Sequence, residues 1–123
     1  MAVGPVAQIH ISVTDLDRSV AFYTEVLGIP LLFRPPGPPM AFLASGDVRL
    51  YLGVPERPEF TTRVLLYFRV DDIDAEHRRL AGAGVAFLGP PKVVHRDRDT
   101  ELWMASFRDP DGHNLTLMQD RPT

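Results

Sequence analysis

A chain of 123 residues, 45% apolar and 24% charged, has the size and make-up of one ordinary globular domain and excludes a disordered tail or a fibre. Its formal net charge of -3, its pI near 5.7 and its scattered Lys and Arg exclude the basic footprint of a nucleic-acid binder. With no cysteine, disulfides, thiolate chemistry and zinc–sulfur sites are excluded, and only Gln, His, Asp or Glu side chains are left to hold a metal.

Residues 1–5 carry neither a basic n-region nor an apolar h-region, and no run of about 18 apolar residues follows. The expectation is a cytoplasmic protein with no membrane partner. The first strand is expected where Ile9, Ile11 and Val13 alternate with Gln8, His10 and Ser12. A helix follows, with Leu16, Val20, Tyr23 and Leu27 at helical spacing, a Thr14-x-x-Asp17 capping box before them and a stop at Gly28. Three strand-like runs come next, residues 30–34, 40–44 and 48–52, the last two joined by the turn Ser45-Gly46-Asp47.

The same order then repeats. Residues 66–74 (LYFRVDDID) echo residues 9–17 (IHISVTDLD), and Val13 and Val70, Asp15 and Asp72, Leu16 and Ile73, and Asp17 and Asp74 each stand 57 residues apart. Leu66, Phe68 and Val70 alternate with Leu65, Tyr67 and Arg69 in a strand. The second helix is expected from Ile73 to about Ala81, ending at Gly82 and Gly84. Further strands are expected at residues 85–88, 102–108 and 114–118, with Asp109-Pro110-Asp111-Gly112 as a turn between the last two. The prolines of residues 35–39, 55–58 and 90–91 fall outside these runs, as loops require. The fold class is α+β: one domain, 1–123, of two βαβββ modules at about 6–54 and 63–119.

On the mixed face of the first strand, Gln8 and His10 lie about 7 Å apart by strand rise. His10 is either a hydrogen-bonded wall residue or a ligand contact that titrates near neutrality. Arg49 and Tyr51 share one strand parity, and so do Tyr67 and Arg69; two Arg and two Tyr on one surface suit a ligand with aromatic or anionic parts. His95 opens the polar segment 95–101, expected as a charged hairpin loop that either stays exposed or closes over the pocket with Trp103. Trp103, in parity with Glu101 and Phe107, is either core or pocket wall. His77 is expected on a solvated helix face, and His113 in turn chemistry. No nucleophile elbow or glycine-rich phosphate loop occurs, so acyl and phosphoryl transfer lack their usual parts.

The repeat, with AFYTEVLGIPLLF (residues 21–33) and SFRDPDGHNLTLM (residues 106–118), resembles the vicinal oxygen chelate superfamily of glyoxalases, bleomycin-resistance proteins and extradiol dioxygenases. The resemblance spans residues 6–118. It implies a half-open, barrel-like mixed sheet with helices on the outer face, a homodimer, and a small-molecule ligand on the concave face. In metal-using members the ligands fall at positions held here by Gln8, Tyr51, Leu65 and Thr116, and of these only Gln8 is a natural ligand. The resemblance therefore implies a metal-free, cofactor-free binder that sequesters an aromatic or amphipathic molecule, as antibiotic-resistance relatives do. Gln8, His10, Arg49, Tyr51, Leu65, Tyr67, His95, Trp103 and Thr116 are its candidate contacts. The alternative stays open: a glyoxalase-like or epimerase-like lyase or isomerase, or a dioxygenase-related enzyme. It would use a displaced metal held by His10 with Glu101 or a bridging residue, or acid–base catalysis by His10 or His95.

Overall fold

A computed structural model describes residues 2–123, which fall into two compact units divided after Arg63. In chain order the elements of the first unit are β1 (Gln8–Ser12), α1 (Leu16–Ala21), a π-helical turn (Phe22–Val26), β2 (Leu31–Phe33), β3 (Met40–Ser45), β4 (Val48–Gly53) and a short 3₁₀ turn (Pro58–Phe60). The second unit holds β5 (Leu65–Arg69), α2 (Ile73–Gly82), β6 (Lys92–Arg96), β7 (Thr100–Arg108) and β8 (Asn114–Pro122). Each unit is one four-stranded mixed sheet, ordered β1-β4-β3-β2 in the first and β5-β8-β7-β6 in the second. The first strand runs parallel to the last, and the other pairings are antiparallel. The two units are thus built to one plan, and the α+β class read from the repeat holds.

The repeat has a local cause. Asp15 caps α1 by accepting from the Arg18 N–H at 3.2 Å, and Asp72 caps α2 by accepting from the Ala75 N–H at 3.1 Å. A carboxylate at this position satisfies a donor that the first helical turn leaves over and sits well in the field of the helix amides. The cap of α1 is Asp15 rather than Thr14, whose hydroxyl accepts instead from the Arg18 side chain. The first helix also changes character: Leu27 N–H reaches back to the Phe22 carbonyl at 3.0 Å, and Gly28 ends the segment with φ of 80°.

In each unit one sheet face packs on the helix. In the first, Ile11, Leu43 and Leu52 are fully buried, with Val13 and Leu50 almost so, against Leu16, Ser19 and Tyr23 of the helical segment. In the second, Leu115, Leu117, Ala105 and Phe107 meet Ile73 and Leu80 of α2. Each such Leu, Ile or Phe contributes roughly 1.5–3 kcal/mol through loss of water contact. His77 is half-buried on the helix face, with its ring 4.3 Å from Phe87, which in turn lies 5.1 Å from Phe107.

Two expectations for the second unit are corrected. Residues 85–88 form no strand and make only an isolated bridge, Phe87 to Phe107. Lys92–Arg96, unforeseen, is the edge strand β6, and its pairing with β7 carries a register shift between Val93 and His95. The polar segment 95–101 is the expected exposed hairpin, with its arms drawn into strands: His95 and Arg96 lie in β6, Thr100 and Glu101 in β7, and Asp97 N–H donates to the Thr100 carbonyl. The edges differ in kind, for β2 exposes Leu31, Leu32 and Phe33 whereas β6 carries Lys92, His95 and Arg96.

Two polar side chains fix the chain near the boundary. Thr62 accepts from the Ser12 N–H at 3.0 Å and donates to the His10 carbonyl at 3.2 Å, while its own N–H donates to Ser12 Oγ at 2.7 Å. A threonine thereby supplies β1 with the hydrogen bonds that a neighbouring strand would give. In the second unit His113, 3% exposed, accepts from the Val64 N–H through Nδ1 at 3.1 Å, and its own N–H donates to Asp109 Oδ1 at 2.8 Å. No helix among the described residues is long and apolar enough to cross a membrane.

Candidate functional site

Alternation and register decide what lies on the open face of the first sheet, the one turned from α1. Gln8 stands opposite Arg49, His10 opposite Tyr51, and Tyr51 opposite Phe42, which pairs on its other side with Phe33. One rung across all four strands is therefore aromatic. The rings stack in sequence: Phe33 to Phe42 at 4.7 Å and 19°, Phe42 to Tyr51 at 5.0 Å and 24°, and Tyr51 to His10 at 4.6 Å and 32°. Arg49 places its guanidinium 5.7 Å from the Phe42 ring centre. Gly53 completes the arrangement, because a Cβ there would lie 2.6 Å from Tyr51 Cε1.

The sequence singles out His10, Tyr51, Arg49 and Gln8 on this face, and the fold brings them together. It does not single out Phe33 and Phe42, which make the rung continuous. A signal was present: the turn at Gly46-Asp47, with Gly46 at φ of 57°, sets the β3–β4 register and so puts Phe42 across from Tyr51.

Beside His10 and Tyr51 a cleft of about 510 Å³ opens, closed on its other side by Pro55, Glu56, Glu59, Phe60, Thr61 and Thr62 from the segment after β4. The Thr62 bonds to β1 hold that wall in place. Its size lies within the range of small-molecule sites.

The second unit carries different chemistry on the matching rung. Tyr67 stands opposite Thr116, which stands opposite Ser106. Thr116 is 2% exposed, and its hydroxyl meets Ser106 Oγ at 2.8 Å and accepts from Asn114 Nδ2 at 3.3 Å. Leu65 and Tyr67 share this open face and are 62% and 53% exposed. Arg69 is engaged by Asp120 at 2.9 Å.

Trp103 lies on the other face, in line with Ala105 and Phe107. Arg121 stacks on its ring at 4.6 Å and pairs with Asp74 of α2, and Glu101 accepts from the indole N–H at 3.2 Å. His95 is exposed in β6 and bonds to Asp97 at 2.9 Å. Within this unit neither Trp103 nor His95 shares a rung with Thr116.

The positions that hold a metal in metal-using relatives do not fit one here. Gln8 faces the cation Arg49 across the sheet, and Leu65 has no donor atom. Thr116 spends its hydroxyl on Ser106 and Asn114. A displaced set drawing on Glu101 fits no better, since its oxygens are taken by Arg96 and Trp103. Among the described residues no three His, Cys, Asp or Glu groups lie close enough to hold an ion.

Two units, each an open four-stranded mixed sheet backed by a helix, agree with what a comparison of family models finds, a match over residues 5–117 to the Glyoxalase/Bleomycin resistance protein/Dioxygenase superfamily. The chain belongs to that superfamily. Within it, the solved structure of TnmS3, an antibiotic binding protein from Streptomyces sp. CB03234, is similar at 32% identity and a TM-score of 0.78, covering 100% of this chain and 99% of that one. The uncharacterized protein YraH of Bacillus subtilis (strain 168) is 30% identical over 88% of this chain and 91% of its own length. The glutathione transferase FosA of Serratia marcescens is 29% identical over 87% of this chain and 74% of its own. The glyoxalase superfamily thus includes both binders and enzymes among the relatives of this chain.

Proposed function

We propose that this member of the superfamily is a binding protein for a small aromatic molecule, which it holds without a metal or other cofactor. The observation that carries the reading is the unbroken stack of Phe33, Phe42, Tyr51 and His10 across the open face of the first sheet. Rings stacked face to face in register turn their edges to the open side, and an edge-to-face contact with a further aromatic ring contributes about 0.5–1.5 kcal/mol beyond the area it buries. Gln8 and Arg49 supply polar contacts at the rim. The antibiotic-binding TnmS3, a relative of matching length, supports a ligand of the antibiotic kind; sequestration would then be a form of resistance. Cytoplasmic location and a homodimer complete the proposal.

Isothermal titration of the full chain with a neutral three-ring compound, 9-anthracenemethanol, tests it, using protein dialysed with and without EDTA. One saturable site, the same affinity in both preparations, and about tenfold weaker binding by Tyr51→Ala are expected. Absence of binding, or binding that chelation abolishes, would overturn the reading.

A further inference from the structure

The cleft at the β1 side of the aromatic rung has a charge character that the rung itself lacks. Rings of His10, Tyr51 and Phe60 wall it, and Glu56 and Glu59 bring carboxylates to it, while no lysine or arginine lines it. The two carboxylates are not equivalent. Glu59 is neutralised by Arg57 at 3.2 Å, and the same guanidinium lies 5.8 Å from the Phe60 ring centre. Glu56 has no such counter-ion among the described residues. Arg49 on this face sits over Phe42 and does not line the cleft.

Aromatic faces are negative at their centres and draw cations, and an unneutralised carboxylate does the same; both repel an anion. Phe60 already accepts one cation from outside, through Arg57. We infer that the cleft receives an organic cation, so that the ligand of the aromatic rung carries a protonated amine which enters beside Phe60 towards Glu56. This rests on the proposed aromatic-binding function and specifies the ligand class. Exposed Thr61 adds a hydroxyl to which an ammonium N–H can donate.

Three planar probes of matched ring size separate the two ideas in one titration series on the full chain: 9-aminoacridine as the cation, 9-anthracenemethanol as the neutral compound and 9-anthracenecarboxylate as the anion. The cation should bind about tenfold tighter than the neutral probe and the anion more weakly than either. Glu56→Gln should remove most of that preference. Glu25→Gln, which makes the same change in net charge on the exposed helix side, should leave the preference intact. Equal affinity for cation and neutral probe, a preference for the anion, or a preference untouched by Glu56→Gln would each overturn the inference while the aromatic-binding reading stands. If no probe binds, both fall together.

Discussion

Replacing Gly53 with alanine tests the stacked rung without touching any ring. The backbone at Gly53 has no positive φ, so alanine brings no conformational strain there. In an unobstructed position the change should stabilise the fold by about 0.4–1 kcal/mol, because alanine restricts the unfolded chain. Here the new Cβ would lie 2.6 Å from Tyr51 Cε1 and 3.1 Å from Cζ. The Tyr51 ring has little room to retreat, with His10 at 4.6 Å on one side and Phe42 at 5.0 Å on the other. Overpacking costs about 1–3 kcal/mol, and the displaced ring forfeits stacking of about 0.5–1.5 kcal/mol per pair. The net expectation is a loss of roughly 1–3 kcal/mol, seen as a lower urea midpoint in far-ultraviolet circular dichroism with the m-value unchanged. Near-ultraviolet dichroism should report the altered tyrosine environment. The control is Gly82→Ala at the end of α2, where nothing lies within 4 Å, and it should raise stability by a few tenths to about 1 kcal/mol. A Gly53→Ala protein as stable as the control would refute the claim that the rung is tightly stacked.

Three more predictions concern single side chains. Thr62→Val keeps the shape but removes the hydroxyl that serves Ser12 and His10. It should cost about 1–2 kcal/mol in chemical denaturation, and wild-type stability would mean that β1 does not depend on this strap. His113→Ala strips the Val64 N–H of its acceptor at the start of β5 and should cost at least about 1–3 kcal/mol, with faster amide exchange at Val64 as the local sign. Trp103→Phe removes the donor to Glu101 and weakens the Arg121 stack. It should lower the thermal midpoint yet keep affinity for 9-anthracenemethanol within about twofold; a tenfold loss would put Trp103 in the ligand site.

What could be read from the chain follows what is local and what is not. The caps Asp15 and Asp72, the alternation of β1 and β5 and the turn at Gly46 act over a few residues, so the repeat and the α+β class were visible before any coordinates. The edge strand β6 was not. Lys92-Val93-Val94-His95-Arg96 follows two prolines and has no clean alternation, and it is a strand because β7 pairs with it. Trp103 was ambiguous for a similar reason: its parity fixed which residues it accompanies, but the side occupied by α2 is a tertiary fact. His113 joins the turn as its sequence suggests, through Asp109, but its acceptor role for Val64 was hidden because the two lie 49 residues apart. Part of the aromatic rung was legible through His10 and Tyr51. Phe42 and Phe33 required the register of two hairpins to be followed to the far edge of the sheet.

The shared plan of the two units has a consequence for how such a chain can change. His10, Tyr51 and Phe42 on one rung answer to Tyr67, Thr116 and Ser106 on the other, while the caps and helix-side apolar residues keep both frames alike. Each frame therefore tolerates its own choice of surface chemistry. Drift or selection can retool one half for stacking and the other for hydroxyl contacts, and a library that varies a single rung should yield altered ligand preferences at little cost to folding yield.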